Sequence, residues 1–172
     1  MEWEYRRGPH WKPHSIHAMT IEVIDIARVL GGSKALDQDI RFLAELKAAI
    51  ERGFPAAVAK ETMDALFKTG TEAQRVEFIN LVFDSFDRRD EIGRKPQWQG
   101  FLTPAESERT ERVARIFALA IKALGDEETA RAFMLAPHQY LGGQTPLKYL
   151  SNEVGALEVE QILNAILYGL PA

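Results

Sequence analysis

The sequence predicts an all-α protein. Apolar residues recur at helical spacing through most of the chain, and no segment shows the sustained alternation of a half-buried strand. Prolines, glycines and capping residues fall where the helical period breaks. Of the 172 residues, 46% are hydrophobic, enough for one sizeable core or for two small helical subdomains sharing one. We expect a multi-helix N-terminal domain with a candidate degenerate helix-turn-helix, followed by a small helical C-terminal domain.

Residues 1–17 are interpreted as an N-terminal arm. They show no helical period, and they are interrupted by a glycine and two prolines. Their three histidines do not predict a metal site, because Pro13 directly before His14 opposes the i, i+4 pairing of imidazoles on a helix, and acidic or thiolate partners at suitable spacing are missing. Trp3 and Trp11 are expected to pack over an apolar patch or a dimer partner.

The segment 18–102 is predicted to be a helical domain. Its first apolar stripe ends at Gly31-Gly32, and a second, longer stripe continues as one helix until Gly53. Pro55 opens the next helix in its first turn, and Gly70-Thr71 marks another stop and start. The residues expected on the buried faces are Ile21, Ile24 and Leu30; Leu36, Ile40, Leu43, Leu46 and Ile50; Val58, Met63, Leu66 and Phe67; and Val76, Ile79, Val82, Phe83 and Phe86.

The clearest long helix begins at Thr103-Pro104-Ala105-Glu106, a capping box with proline at the first helical position. It is expected to end at Gly125. Its predicted buried stripe consists of Val113, Ile116, Phe117, Ala120, Ile121 and Leu124.

The last third of the chain sets short helices around a series of turns. Asp126 can cap a helix that runs to Leu135, because its side-chain oxygen accepts from backbone N–H groups that have no helical partner. Pro137 stops that helix. Gly142-Gly143 permits a sharp turn before Thr145-Pro146 starts a new helical turn.

A final helix follows Gly155, which is expected to break the chain again. This helix should end at Gly169 and Pro171. The apolar face predicted for it consists of Val159, Ile162, Leu163, Ile166 and Leu167.

This last third resembles the C-terminal toxin-binding domain of the Xre/MbcA/ParS antitoxins. The family pattern runs roughly Trp-Leu-x-x-Pro-Asn, then Leu-Gly-Gly-x-x-Pro-x-x-Leu, then Gly, a Val-rich helix and a final Gly. The chain departs at Phe133, where Trp is usual, and at His138, where Asn is usual; both substitutions keep a similar shape. The likeness extends back to about Leu102 and places the domain at 103–172, with its core at 126–172. The matching residues are Phe133, Leu135, Pro137, Leu141, Gly142, Gly143, Thr145, Pro146, Leu150, Gly155, Val159, Leu163 and Gly169.

The resemblance implies an antitoxin of a type II toxin–antitoxin pair. Its implied partner is a RES-domain toxin that consumes NAD⁺, whose active site the C-terminal domain covers, and its second implied function is repression of its own operon as a homodimer on operator DNA. Large apolar side chains tend to dominate binding at the centre of an interface, so the candidate anchors are Leu135, Tyr140, Leu141, Tyr149 and Leu150. Gly142, Gly143, Thr145 and Pro146 are expected to hold the shape of the loop, and the tail that contains Tyr168 and Leu170 could reach into the cleft. The alternative for each is an ordinary core or turn position.

The acidic charge is concentrated in the same region. From Asp126 onward, six acidic residues stand against two basic ones, a net charge of −4, whereas residues 1–125 sum to zero. One interpretation is a docking face for a partner with a positive site, such as a pocket for an anionic nucleotide. The other is a solvated run of charges.

Direct DNA contact is a hypothesis for the middle of the chain. The candidate phosphate or base contacts are Arg88, Arg89, Arg94 and Lys95. Acidic residues are interleaved with them, so the net charge of 87–95 is only +1, a weak electrostatic footprint. The alternative is a solvated helix face with its own salt bridges.

Several function classes are disfavoured by the sequence. There is no cysteine, which removes thiol catalysis and disulfides and fits a reducing cytoplasm. Gly142-Gly143 lacks the spacing of a phosphate-binding loop, and His138 has no evident catalytic partner, so we expect neither an enzyme nor a cofactor. No apolar run approaches the ~20 residues needed to span a bilayer. Two other functions stay open: a DNA-binding transcriptional regulator whose C-terminal domain serves dimerisation only, and a helical adaptor.

Overall fold

The computed structural model describes residues 21–68, 70–83 and 98–169. Within these ranges the chain is all-α, as predicted, and its extended pairing is limited to two isolated antiparallel bridges, Pro55 with Phe101 and His138 with Gln144. A 3₁₀ turn at Gln139–Leu141 separates the seventh and eighth helices. The helices are α1 (Val23–Val29), α2 (Gly32–Leu36), α3 (Leu43–Arg52), α4 (Ala56–Leu66), α5 (Glu72–Val82), α6 (Pro104–Leu124), α7 (Glu127–Leu135), α8 (Pro146–Tyr149) and α9 (Glu153–Tyr168).

Helix α6 lies at the centre of the molecule. The predicted capping box starts it: Thr103 Oγ1 accepts from the Glu106 amide at 3.2 Å, and Glu106 Oε2 accepts from the Thr103 amide at 2.8 Å. It ends at Gly125, whose φ of 94° only glycine adopts readily. At 1.5 Å per residue it is about 30 Å long, and it contacts α1, α3, α4, α5, α7 and α9. One apolar core therefore runs across the boundary predicted between residues 102 and 103; the functional division there stays a prediction.

The long helix predicted from the second apolar stripe is wrong, because two helices share that stripe. Asp37, with a φ of 56°, ends α2 in the left-handed region. Glu45 Oε2 then accepts from the amides of Arg41 and Phe42, at 2.7 and 3.0 Å, and so fixes the start of α3. The break turns Leu43 into solvent.

Two other buried faces differ from the prediction. Ile24 is exposed, while Ile26 is buried in its place on α1. On α5, Val76 is exposed and Phe78 is buried, with its ring edge-on to Phe67 at 6.0 Å between centroids. Both helices carry apolar residues on more than one face, so spacing alone did not select the face that packs. Phe86 lies outside the described residues.

Side chains from the C-terminal half hold the helix ends of the N-terminal half. Arg131 Nε of α7 donates to the Ala65 carbonyl at 2.6 Å, and Arg109 Nη1 of α6 donates to the Val82 carbonyl at 3.0 Å. Cationic groups at helix C-termini satisfy free carbonyls and complement the helix dipole. These bonds fix α6 and α7 against α4 and α5.

Candidate functional site

A tight loop joins α7 to α8. Asp126 caps α7 by accepting from the Thr129 amide at 2.8 Å, as predicted. After α7, the His138 amide donates to the Gln144 carbonyl, and the Gly143 amide donates to the His138 carbonyl, each at 3.0 Å. Gly142 and Gly143 have φ values of 61° and 78°, so the predicted need for glycine at this turn is confirmed.

An aromatic cluster supports the outer surface of this loop. The His138 ring lies 5.5 Å from the Phe133 ring and 5.7 Å from the Tyr140 ring, between centroids. Phe133 and His138 are half-buried, whereas Tyr140 is exposed. The cluster therefore holds Tyr140 at the surface. His138 Nδ1 is buried without a hydrogen-bond partner among the described residues.

The predicted toxin-binding residues separate into two groups. Tyr140 and Tyr168 are exposed, and Leu135 and Tyr149 are half-buried, so each of these side chains has surface to offer. The prediction of direct contact is corrected for two anchors, because Leu141 and Leu150 are fully buried and pack in the core. Leu170 lies outside the described residues.

The four residues expected to shape the loop form its turn and the start of α8. Gly142 and Gly143 form the left-handed turn. Thr145 caps α8 by accepting from the Lys148 amide at 3.2 Å, and Pro146, at the first position of α8, is buried. Their positions fit the expected function of holding the shape of the loop.

Helix α9 starts earlier than predicted. Asn152 Oδ1 caps it by accepting from the Gly155 amide at 2.9 Å, so Gly155 lies inside the first turn and does not break the chain. Val159 and Leu163 form the buried face, as expected. Ile166, which was predicted on that face, is exposed.

An apolar strip lies on the opposite side of α9. Val154, Leu157 and Tyr168 are 68%, 48% and 47% exposed. Leu157 and Tyr168 follow Val154 by three and fourteen residues, which places all three on one helix face. We call these three residues the outward stripe. Val154 and Leu157 were not among the predicted residues, because only one apolar face was expected on this helix. Helical spacing counted from Val154 was the sequence signal that could have predicted this second apolar face.

Two arginines of α6 bind the acidic edge of α9. Arg112 Nε lies 2.9 Å from Glu153 Oε2, and Arg115 Nη2 lies 2.9 Å from Glu153 Oε1. Arg115 also pairs with Glu160 and, more distantly at 3.5 Å, with Glu111 of its own helix. Burial raises the pKa of Glu153, but the hydrogen bonds and charges of Arg112 and Arg115 outweigh it, so the pKa lies below its ordinary value.

Glu111 behaves in the opposite way. Burial raises the pKa of its carboxyl group, and the charge of Arg115 offsets only part of that effect. The cluster around Arg115 therefore contains one carboxyl group whose charged form the fold favours and one whose charged form it disfavours.

Three acidic residues of the C-terminal segment form ion pairs with arginines of the same chain. Glu127 pairs with Arg131, and Glu153 and Glu160 pair with the arginines of α6. Glu127 and Glu153 nevertheless stay 60% and 55% exposed, so only Glu160, at 21%, does not fit a partner-facing position. Glu158, next to the outward stripe, is exposed.

The candidate DNA contacts Arg88, Arg89, Arg94 and Lys95 lie outside the described residues. The part of the chain that the structure describes contains no group of three or more histidine, aspartate or glutamate side chains placed to hold a metal ion. In the same part, every helix is too short or too polar to cross a membrane.

The helical module that carries the loop and the outward stripe matches a known family. The family model for the "Antitoxin Xre/MbcA/ParS C-terminal toxin-binding domain" matches residues 119–169, from the second half of α6 to the end of α9. A relative from Yersinia enterocolitica named "Antitoxin Xre" is 35% identical over 131 residues, covering 70% of this chain and 87% of the relative. A second "Antitoxin Xre", from Photorhabdus laumondii, is 26% identical over 126 residues, covering 73% of this chain and 80% of the relative.

These matches define the chain as an antitoxin of a toxin–antitoxin pair. The chain belongs to the Xre/MbcA/ParS antitoxin family. Its partner is accordingly a cognate toxin.

Proposed function

We propose that this antitoxin neutralises a RES-domain, NAD⁺-consuming toxin by covering its active-site cleft with the C-terminal module, and that it also represses its own operon. One observation carries the first part: the segment that matches a toxin-binding domain, 119–169, contains an exposed apolar face that no other described element covers. An antitoxin that acts by covering a cleft needs complementary surface and no catalytic group.

The outward stripe is the proposed docking surface. Fully burying a valine or leucine side chain is worth about 1.5–3 kcal/mol. Because Val154 and Leu157 are already partly covered, each would contribute on the order of 1 kcal/mol at an interface. Tyr168 adds an aromatic group of the kind enriched at binding centres.

The RES class of the toxin is supported by the motif resemblance and by the charge beside the stripe. A pocket for NAD⁺ must accommodate a negatively charged pyrophosphate, so it tends to present positive groups. Glu158 projects from α9 next to Leu157 and is exposed, which suits a positive rim.

A co-expression growth assay tests neutralisation. Truncation after Asn164 removes the last turn of α9 together with Tyr168, and it should abolish rescue of cells that express the cognate toxin. Truncation after Gly169 keeps α9 whole and removes only residues 170–172, so it separates the helix from the tail. Tyr149→Ala should also weaken rescue. Full rescue by the Asn164 truncation, with the protein shown to be folded, would remove the end of α9 from the interface.

Autorepression is proposed through Arg88, Arg89, Arg94 and Lys95 acting in a homodimer. A net charge of +1 over 87–95 gives each copy only a weak attraction to DNA. Two copies on adjacent half-sites would add their contacts. This support comes from the sequence and the resemblance.

A further inference from the structure

Arg112 and Arg115 connect three parts of the C-terminal module. Arg112 Nη1 donates to the Leu150 carbonyl at 3.4 Å, at the end of α8, and its Nε binds Glu153 in the first turn of α9. Arg115 binds Glu153 and, further along α9, Glu160. Both guanidinium groups belong to α6, and both are largely shielded, with side chains 14% and 22% exposed.

The apolar contact between α9 and α6 offers few interlocking side chains at the N-terminal end of α9. The N-terminal half of the buried face of α9 is formed by Gly155 and Ala156, which offer little side chain to interlock. Hydrophobic attraction has no preferred direction. Larger residues, Val159 and Leu163, anchor the middle of the helix. At this end, the rotation and sliding of α9 therefore depend on directional polar contacts and on the close backbone approach of Gly155 to Tyr149.

The two carboxylates that Arg115 binds are well placed for that purpose. Glu153 and Glu160 are seven residues apart, which is two turns or about 10.5 Å along the axis. A planar guanidinium group binds carboxylates in defined directions. A slip of α9 by one turn, about 5.4 Å, would break both contacts at once. The Arg115 side chain thus restrains α9 over half of its length.

We propose that Arg115, assisted by Arg112, is a positioning residue for toxin binding: it sets the register and rotation of α9 on α6 and thereby the direction in which the outward stripe faces. The effect on toxin binding rests on the proposed function. The effect on the position of α9 does not, and it is measurable on the antitoxin alone.

Spin-label distances measure that position directly. The chain has no cysteine, so Ala48→Cys on α3 and Glu158→Cys on α9, both at exposed sites, provide two unique attachment points for nitroxide labels. Pulsed electron–electron double resonance then gives the distribution of distances between the label on α3 and the label on α9. Arg115→Gln removes the charge from the α6 side. Glu160→Gln breaks the same pair from the α9 side, in case the arginine variant fails to fold.

The matched control is Arg28→Gln, which breaks the exposed pair with Asp25 on α1. We expect one narrow distance distribution for the parent and for the control, and a broadened or shifted one for Arg115→Gln and for Glu160→Gln, with helix content retained by circular dichroism. Distributions that match the parent in both folded variants would overturn the proposal.

Inhibition of the toxin is measured independently of the label distances. If the proposed function holds, Arg115→Gln should weaken inhibition of the toxin about tenfold, as expected for a misdirected binding surface, while Arg28→Gln should leave it unchanged. A shifted distance with unchanged inhibition would mean that Arg115 sets the position of α9 on α6 but that this position does not affect toxin binding. That outcome would count against the outward stripe as the docking surface and leave the antitoxin class intact.

Discussion

A Cβ atom built on Gly155 would lie 2.0 Å from the backbone carbonyl oxygen of Tyr149. Real Cβ atoms do not approach an oxygen so closely, so the end of α8 rests against the first turn of α9 only because residue 155 has no side chain. The first turn of α9 carries Val154, the start of the outward stripe. The contact between Tyr149 and Gly155 therefore places the proposed docking surface relative to the loop.

Gly155→Ala should destabilise the protein. The added methyl group must displace the backbone of Tyr149, and overpacking of this kind costs about 1–3 kcal/mol, more than the helix propensity gained by alanine. Urea unfolding followed by circular dichroism measures the change. Gln161→Ala, at an exposed position of the same helix, is the control and should change the unfolding free energy by less than about 0.5 kcal/mol. Equal stability of Gly155→Ala and the parent would disprove the close contact.

Leu157→Asp should abolish toxin binding without unfolding the antitoxin. The side chain is 48% exposed, so a carboxylate is tolerated in the free protein, whereas at an apolar interface it loses its hydration without a partner. We expect inhibition of the toxin to weaken at least about tenfold. Val76→Asp, at a position on α5 that is 45% exposed, is the matched control. Equal inhibition constants for the two variants would exclude the outward stripe from the interface.

Glu153→Gln should lower stability at pH 7 and flatten its dependence on acid. Burial raises the Glu153 pKa but Arg112 and Arg115 lower it more, so the folded-state pKa lies below the unfolded one. Its stabilisation is therefore present above the unfolded pKa of about 4.3 and lost as the pH falls through the folded pKa. Because the side chain is 55% exposed, solvent screening limits the effect to roughly 0.5–1 kcal/mol.

Urea titrations at pH 7, 5 and 3 measure this effect as the difference between parent and variant, which should shrink towards pH 3. For Glu111→Gln, the stability difference between parent and variant should change with pH in the opposite direction. Burial raises the Glu111 pKa, so the parent should gain stability relative to this variant as the pH falls through that raised pKa. A difference between parent and Glu153→Gln that does not vary with pH would contradict the assigned cause.

Arg88→Ala combined with Arg89→Ala should weaken retention of operator DNA in a gel shift. Each removed phosphate contact should also reduce the slope of log affinity against log salt by about 0.9. Arg41→Ala serves as the control, because Arg41 is an exposed arginine outside the segment 87–95 and pairs with Asp39. Unchanged retention and salt dependence in the double variant would remove these two residues from the DNA hypothesis.

Local signals in the sequence were sufficient for the starts of α6, α7 and α8, but the prediction missed the cap at Asn152 that starts α9. Thr103, Asp126 and Thr145 each accept the predicted capping hydrogen bond, because a cap depends on residues three positions apart. The faces of α1, α5 and α9 were not fully predictable, since each helix carries apolar residues on two sides and only tertiary contacts decide which side packs. The Arg115 cluster was also out of reach, because its partner Glu160 is 45 residues away in sequence.

Turnover of NAD⁺ by the purified cognate toxin, titrated with the purified antitoxin, tests the central claim most directly. We expect turnover to fall in proportion to added antitoxin until it reaches background, and Leu157→Asp to need at least about tenfold more protein for the same effect. Turnover that continues at its original rate in the presence of excess folded antitoxin would contradict neutralisation by coverage of the active site.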